Sequence, residues 1–219
     1  FYICHCKKLT ERRPNLESEI VRVGIQNAHW VLDFDADELA EDYIFDILET
    51  NLWYERMQLP IYPSPPAYRI LSKPVTSLVM KHREAYKMFL KTDKPYALIS
   101  EDDTFFDPDY NNLFEKYFST MPKGADIIHM CAASGLYPSN LVEGHYFYKN
   151  HLTRGTGLYL ISRKAAEIMC HGLQFFCGPI DFEINYFVHK HGLESYWLHP
   201  LLAYQGSETI YSSSLDGKR

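Results

Sequence analysis

Three consecutive acidic residues, Glu101, Asp102 and Asp103, follow the apolar run Tyr96-Ala97-Leu98-Ile99-Ser100. Such a run reads as a buried strand, which puts the carboxylates at its C-terminal end. Adjacent carboxylates repel, and a fold that crowds three of them normally has a cation or a ligand to hold there. In an α/β sheet that end of the strands is where ligands bind. A divalent metal with oxygen ligands, itself gripping a diphosphate, satisfies the electrostatics. A solvated turn is the competing account, because Asp is common at strand exits, and the residues alone leave both open. A second acidic stretch, Asp33-Phe34-Asp35-Ala36-Asp37, has the alternating Asp of a calcium loop. It fails as one: Glu38 stands where Gly is required and Ile44 where a bidentate Glu is required. Asp37 is read instead as a helix cap.

The elements that must position these residues alternate in type. Phe1 to Cys6 reads as a strand, followed by a helix with Pro14 in its first turn, an apolar stripe of Leu16, Ile20 and Val23, and Gly24 as its stop. Ala28 to Asp33 is a second strand. Residues 58–74 hold Pro60, Pro63, Pro65, Pro66 and Pro74, an irregular loop suited to a flap beside a site. Val75, Leu78, Val79, His82, Tyr86, Phe89 and Leu90 recur at helical spacing and deliver the chain to the acidic strand. A helix is expected over Tyr110–Phe118, a strand over Ile127–Met130, and a Tyr- and Asn-rich loop over 135–150. Gly155–Ser162 makes a strand whose last residue caps a helix over Arg163–Met169. A helix opens at Pro179-Ile180-Asp181, Glu194–Trp197 is a short strand, and 212–219 is a polar tail. Strands alternating with helices argue for one α/β domain over residues 1–219, a central sheet flanked by helices.

The totals are those of a globular chain: 219 residues, 46% hydrophobic, 23% charged. A formal net charge of -6 argues against a nucleic-acid partner held by bulk charge, while a small diphosphate on a metal stays compatible. Cys4, Cys6, Cys131, Cys170 and Cys177 form neither a disulfide framework nor a zinc spacing, which points to a reducing compartment. No stretch is long and apolar enough to span a membrane. A cytoplasmic or membrane-peripheral location is expected, with the secretory lumen also open.

Several blocks follow one another in order: Glu11-Arg12-Arg13, Lys81-His82, Leu98 to Asp103, Asp126-Ile127-Ile128-His129, Gly155 to Ser162, Pro179-Ile180-Asp181, and Trp197-Leu198-His199-Pro200 with Gln205. This succession resembles glycosyltransferase family 25, the lipopolysaccharide and collagen galactosyltransferases, along essentially the whole chain. The resemblance implies a GT-A-type nucleotide-sugar-binding fold with a mixed sheet. It also implies a UDP-sugar donor, a glycan or glycoconjugate acceptor, manganese, and transfer of a hexose, galactose by preference, with inversion. Carried over, Asp103 ligates the metal, while Glu101 and Asp102 hold donor hydroxyls or the metal's water shell. Arg13, His82, Arg154 and Thr156 lie on the donor side, His199 completes the metal shell, and Asp181 is the base, with Glu183 as second choice. Lys81 departs from the expected Ser-His pair and is read as facing solvent. Each role has a plainer counterpart: a helix N-cap for Asp181, packing against the sheet for His82, a surface hydrogen bond for His199. A nucleotidyltransferase, a glycosidase using two of the carboxyls, or a non-catalytic glycan- or nucleotide-binding protein on the same scaffold are the rival functions.

Overall fold

The computed structural model describes residues 1–47, 55–56, 71–131, 138–150, 152–208 and 210–211. Most of the expected 58–74 loop, residues 135–137 of the second loop and the 212–219 tail lie outside them. Seven strands form one mixed sheet: β1 (Tyr2–Cys4), β2 (His29–Val31), β3 (Tyr96–Glu101), β5 (Ile127–His129), β6 (Phe147–Lys149), β7 (Leu158–Ser162) and β8 (Ser195–Leu198). Their order is β2-β1-β3-β7-β5-β8-β6. β1 is parallel to β2 and β3, and β5 to β8, whereas β7 is antiparallel to both β3 and β5, and β6 to β8.

Alternation along the strands sends side chains to two cores. Tyr2, Cys4, Ala97, Ile99, Tyr159 and Ile161 face one core, formed with helices α3 (Lys73–Leu90), α5 (Arg163–Gly172) and α6 (Ile180–His191). Ile3, Ile128 and Leu158 face the other, with α1 (Arg12–Val23) and α4 (Tyr110–Phe118). Helices therefore cover both faces, which the near-continuous apolar strands require. The helix boundaries have local causes. Gly24 takes φ 71° and returns its N–H to Ile20 and Val21 carbonyls, ending α1 as a left-handed cap. The Ser162 hydroxyl accepts the Ala165 N–H at 3.1 Å and starts α5.

Four local expectations change. Asp37 caps no helix: α2 (Glu41–Ile47) begins four residues later, and Asp37 pairs with Lys8 at 2.9 Å. The 135–150 loop contains β6, an edge strand. Lys81 is 2% exposed rather than solvated, because Asp35 and the Asp33 carbonyl reach it at 2.8 and 2.7 Å from the end of β2. Finally, β4 (Thr104–Phe106) turns back from the acidic run and pairs with β9 (Ala203–Gln205), a two-stranded sheet that periodicity does not reveal in three-residue strands. Among the described residues no helix is long and apolar enough to cross a membrane.

Candidate active site

Register brings the site together. Cys4 lies opposite Glu101 in the parallel β1–β3 pair, so both strands exit at one edge of the sheet. Antiparallel β7 begins at that same edge, with the Glu101 N–H on the Gly157 carbonyl at 3.0 Å. The β4–β9 pair sets Thr104 opposite Gln205 and carries Gly206 and Ser207 onto Asp103.

The three carboxylates are held differently. Asp102 is fully engaged: Oδ1 accepts from the Arg12 guanidinium at 2.8 Å, and Oδ2 from His5 Nδ1 at 2.8 Å and the Cys6 N–H at 3.1 Å. Burial alone would raise its pKa, but the hydrogen bonds from His5 and Arg12 hold it below the usual carboxylate range. Asp103 is 3% exposed; its Oδ2 accepts the Ser207 N–H at 3.0 Å and its carbonyl the Gly206 N–H at 2.6 Å. Its other carboxylate oxygen, Oδ1, is buried with no hydrogen-bond partner among the described residues. Glu101 Oε1 accepts from the Thr156 hydroxyl at 2.5 Å and lies 4.0 Å from His82 Nε2. Burial, followed by the charge of Asp103, pushes the Glu101 pKa to about 8.

His82 is fully buried, with Nδ1 2.8 Å from the Tyr159 hydroxyl, which in turn meets that of Tyr86 at 2.5 Å. Burial lowers its pKa to about 3, so the ring is neutral, and Nε2 makes no hydrogen bond among the described residues. Asp181 stands in the first turn of α6 and is not its N-cap, a position taken by Pro179. Burial raises Asp181 to about 6, against its bond from the Phe182 N–H at 3.0 Å and the Arg154 charge. Its charge is the least of those that raise Glu101, after burial and the charges of Asp103 and Asp102. Arg154 lies over the Phe182 ring at 4.9 Å. Glu183, two residues on, is completely buried, pairs with Arg56 and accepts the Cys177 and Gly178 N–H groups at 2.9 Å each. It braces the turn before Asp181.

Two expected residues sit elsewhere. Arg13 pairs with Glu17 at 2.8 Å and lies over the Trp30 ring, while Arg12 reaches the carboxylates. The signal for Arg12 was present: it falls in helical phase with Leu16, Ile20 and Val23, the buried stripe of α1. His199 follows β8, three strand positions from β3, or about 14 Å at ordinary strand spacing, and packs edge-on to Tyr148. His5 and Ser207 were not singled out. Ser207 acts through its backbone, which no side-chain pattern signals.

Beside the carboxylates a cleft of about 320 Å³ opens between the end of β1, residues 36–37 and the first turns of α3. Cys6, Arg12, Ser77, Leu78, Lys81 and Glu101 are among its walls, an apolar lining with a few polar groups. Among the described residues no three His, Cys, Asp or Glu side chains converge as a closed metal cage. The open oxygen of Asp103 beside Glu101 nevertheless fits a hard cation of the kind that takes one or two carboxylates and leaves its remaining positions to substrate phosphates and water.

No family model matches the sequence, and no curated protein matches it. Among solved structures the chain is similar to A197 from STIV, at 18% identity and TM-score 0.37 over 58% of this chain and 66% of that one. It is similar to a glycosyltransferase involved in the glycosylation of the major capsid of PBCV-1, at 11% identity and TM-score 0.47 over 93% and 92%. It is also similar to apo mouse xyloside xylosyltransferase 1, at 14% identity and TM-score 0.38 over 89% and 69%. Likenesses of this size say nothing about chemistry, which is left to the site itself.

Proposed function

We propose that the chain is a metal-dependent, inverting glycosyltransferase that moves a hexose, galactose first, from a UDP-sugar to a hydroxyl of a glycan or glycoconjugate. The observation that carries this reading is the buried oxygen of Asp103 that has no hydrogen-bond partner among the described residues, in the same acidic run as Glu101 and Asp102, which wall the cleft. A buried carboxylate oxygen without a partner is costly, and a cation supplies what the chain withholds. In this reading Asp103 and Glu101 hold manganese, which when bound stabilises the departing diphosphate as a Lewis acid. Asp102, spent on His5, Arg12 and Cys6, fixes the ends of β1 and β3 rather than touching the sugar. The cleft takes the nucleoside, with Leu78 against the base. Thr156 orients the Glu101 carboxyl, and neutral His82 backs it without adding charge.

Asp181 takes the proton of the acceptor hydroxyl. With a pKa of about 6 it is a stronger base than an ordinary aspartate, yet ionised at neutral pH. Residues 58–74 and 135–150 are assigned to acceptor choice. Inversion, galactose and a cytoplasmic or membrane-peripheral site of action follow the family resemblance.

Melting temperature measured with single UDP-sugars, with and without Mn2+, tests the reading. A ligand at 100 times its Kd adds about 2.7 kcal/mol to the folded state. The expected result is a rise that needs both Mn2+ and one UDP-sugar, with transfer to an acceptor detected for that sugar. No rise with any pair overturns the reading. A manganese-independent rise without turnover replaces it with a binding protein, and free sugar as sole product replaces it with a hydrolase.

A further inference from the structure

We propose that the turn following β9 sets the geometry of the cation-binding carboxylates, with the Ser207 N–H and the Tyr211 ring as its positioning groups. The inference rests on the reading that Asp103 and Glu101 hold a divalent cation. The turn is closed by the Ile210 and Tyr211 N–H groups, both donating to the Gly206 carbonyl at 2.7 Å. It is tightly packed: a Cβ on Gly206 would stand 2.7 Å from both Phe105 and Tyr211. From this turn run two separate connections to the acidic row.

The first is direct. The Ser207 N–H ties Asp103 Oδ2 at 3.0 Å, so the carboxylate cannot rotate freely and Oδ1 keeps one direction. The Gly206 N–H fixes the Asp103 carbonyl from the same side at 2.6 Å. The second passes through Arg12 to Asp102, which holds no cation itself but stands between Glu101 and Asp103 in the chain and so fixes the backbone that carries both. The Tyr211 ring lies 5.1 Å from the guanidinium carbon of Arg12, the same arginine whose Nη1 holds Asp102. The Tyr211 hydroxyl also accepts from Asn15 on α1, an exposed contact that the stack on Arg12 does not need. Neither Ser207 nor Tyr211 lines the cleft, so both act on the site through the carboxylates rather than on a nucleotide directly.

Mn2+ affinity of the whole chain, read from the electron paramagnetic resonance of free Mn2+ during titration, tests this without any turnover. Ser207→Pro removes the N–H and is expected to weaken binding about 10–100-fold, the usual effect of losing a hydrogen bond that orients a ligand. Tyr211→Ala is expected to weaken it several-fold, and Tyr211→Phe, which keeps the stack on Arg12, to bind like the wild type. Melting temperatures without Mn2+ identify any variant that fails to fold, and the Tyr211 pair then decides alone. If wild type binds Mn2+ and Ser207→Pro and Tyr211→Ala bind as well or better, the inference is overturned while the metal reading stands. If wild type binds none, or Asp103→Asn binds equally well, the metal reading falls and this inference with it.

Discussion

Asp126 and Asp103 are buried alike, 4% and 3% exposed, at opposite edges of one sheet. Asp126 lies where β5 and β8 begin and β7 ends. Its Oδ1 accepts from the Ser162 hydroxyl at 2.9 Å, and its Oδ2 from Lys164 Nζ at 2.9 Å and the Glu194 N–H at 3.0 Å. Every lone-pair direction that matters is used, and the three donors tie together three strand ends. Asp103, just past the end of β3, receives one N–H on one oxygen and, among the described residues, nothing on the other. The same side chain at the same burial is a joint in one place and an open valence in the other. What separates them is the supply of donors from neighbouring elements, since a buried acceptor left open costs about 1–3 kcal/mol that a purely structural residue has no reason to bear.

Substitutions can break this contrast or sharpen it. Asp181 is the intermediate case, partly exposed, with a hydrogen bond from its own helix and the charge of Arg154 acting on it. Asp181→Asn is expected to lower kcat by about 10²–10⁴-fold, the range for losing a general base, with the donor-induced rise in melting temperature intact. Asp103→Asn should lower kcat/KM by roughly 10²–10³-fold, as removal of one preorganised charge-stabilising group does, while the metal-free protein melts no lower than wild type. Asp126→Ala should do the reverse. It is expected to cost about 2–4 kcal/mol in urea unfolding, with kcat per folded molecule unchanged, because it strands donors built around a charge. An Asp126 variant that melts normally but turns over slowly would erase the distinction between the two edges.

The smallest effect is on stability and pH. The folded pKa of Asp181, about 6, is above its unfolded value near 3.8, so the fold penalises the charged form. That penalty is absent below the unfolded value, grows as pH rises between the two, and is complete above pH 6. Asp181→Asn should therefore stabilise the protein at pH 7 by about 1–3 kcal/mol and leave it unchanged at pH 3. Transfer by the wild type should fall as pH drops through about 6, as the base protonates.

Much of this layout is legible from residue order, and the limits are physical. The apolar runs at 96–100 and 158–161 declare strands buried on both faces, and Leu16, Ile20 and Val23 declare the buried side of α1. The same stripe names Arg12 over Arg13. Asp102 and Asp103, by contrast, are adjacent and chemically identical, so no local pattern tells which is clamped and which is open. Lys81 reads as solvated until Asp35 arrives from another element. His199 could be placed only by knowing that β7 and β5 intervene between its strand and β3.

The partners of Asp102 are 90, 96 and 97 residues away in sequence, and the donor on Asp103 is 104 residues away. No local segment can assemble the acidic site, and loops of 90 to 104 residues must close before these contacts form. Cation uptake during refolding is thus expected late, reporting completion of the fold rather than its start, because the Asp103 carboxylate is oriented only once Ser207 has reached it.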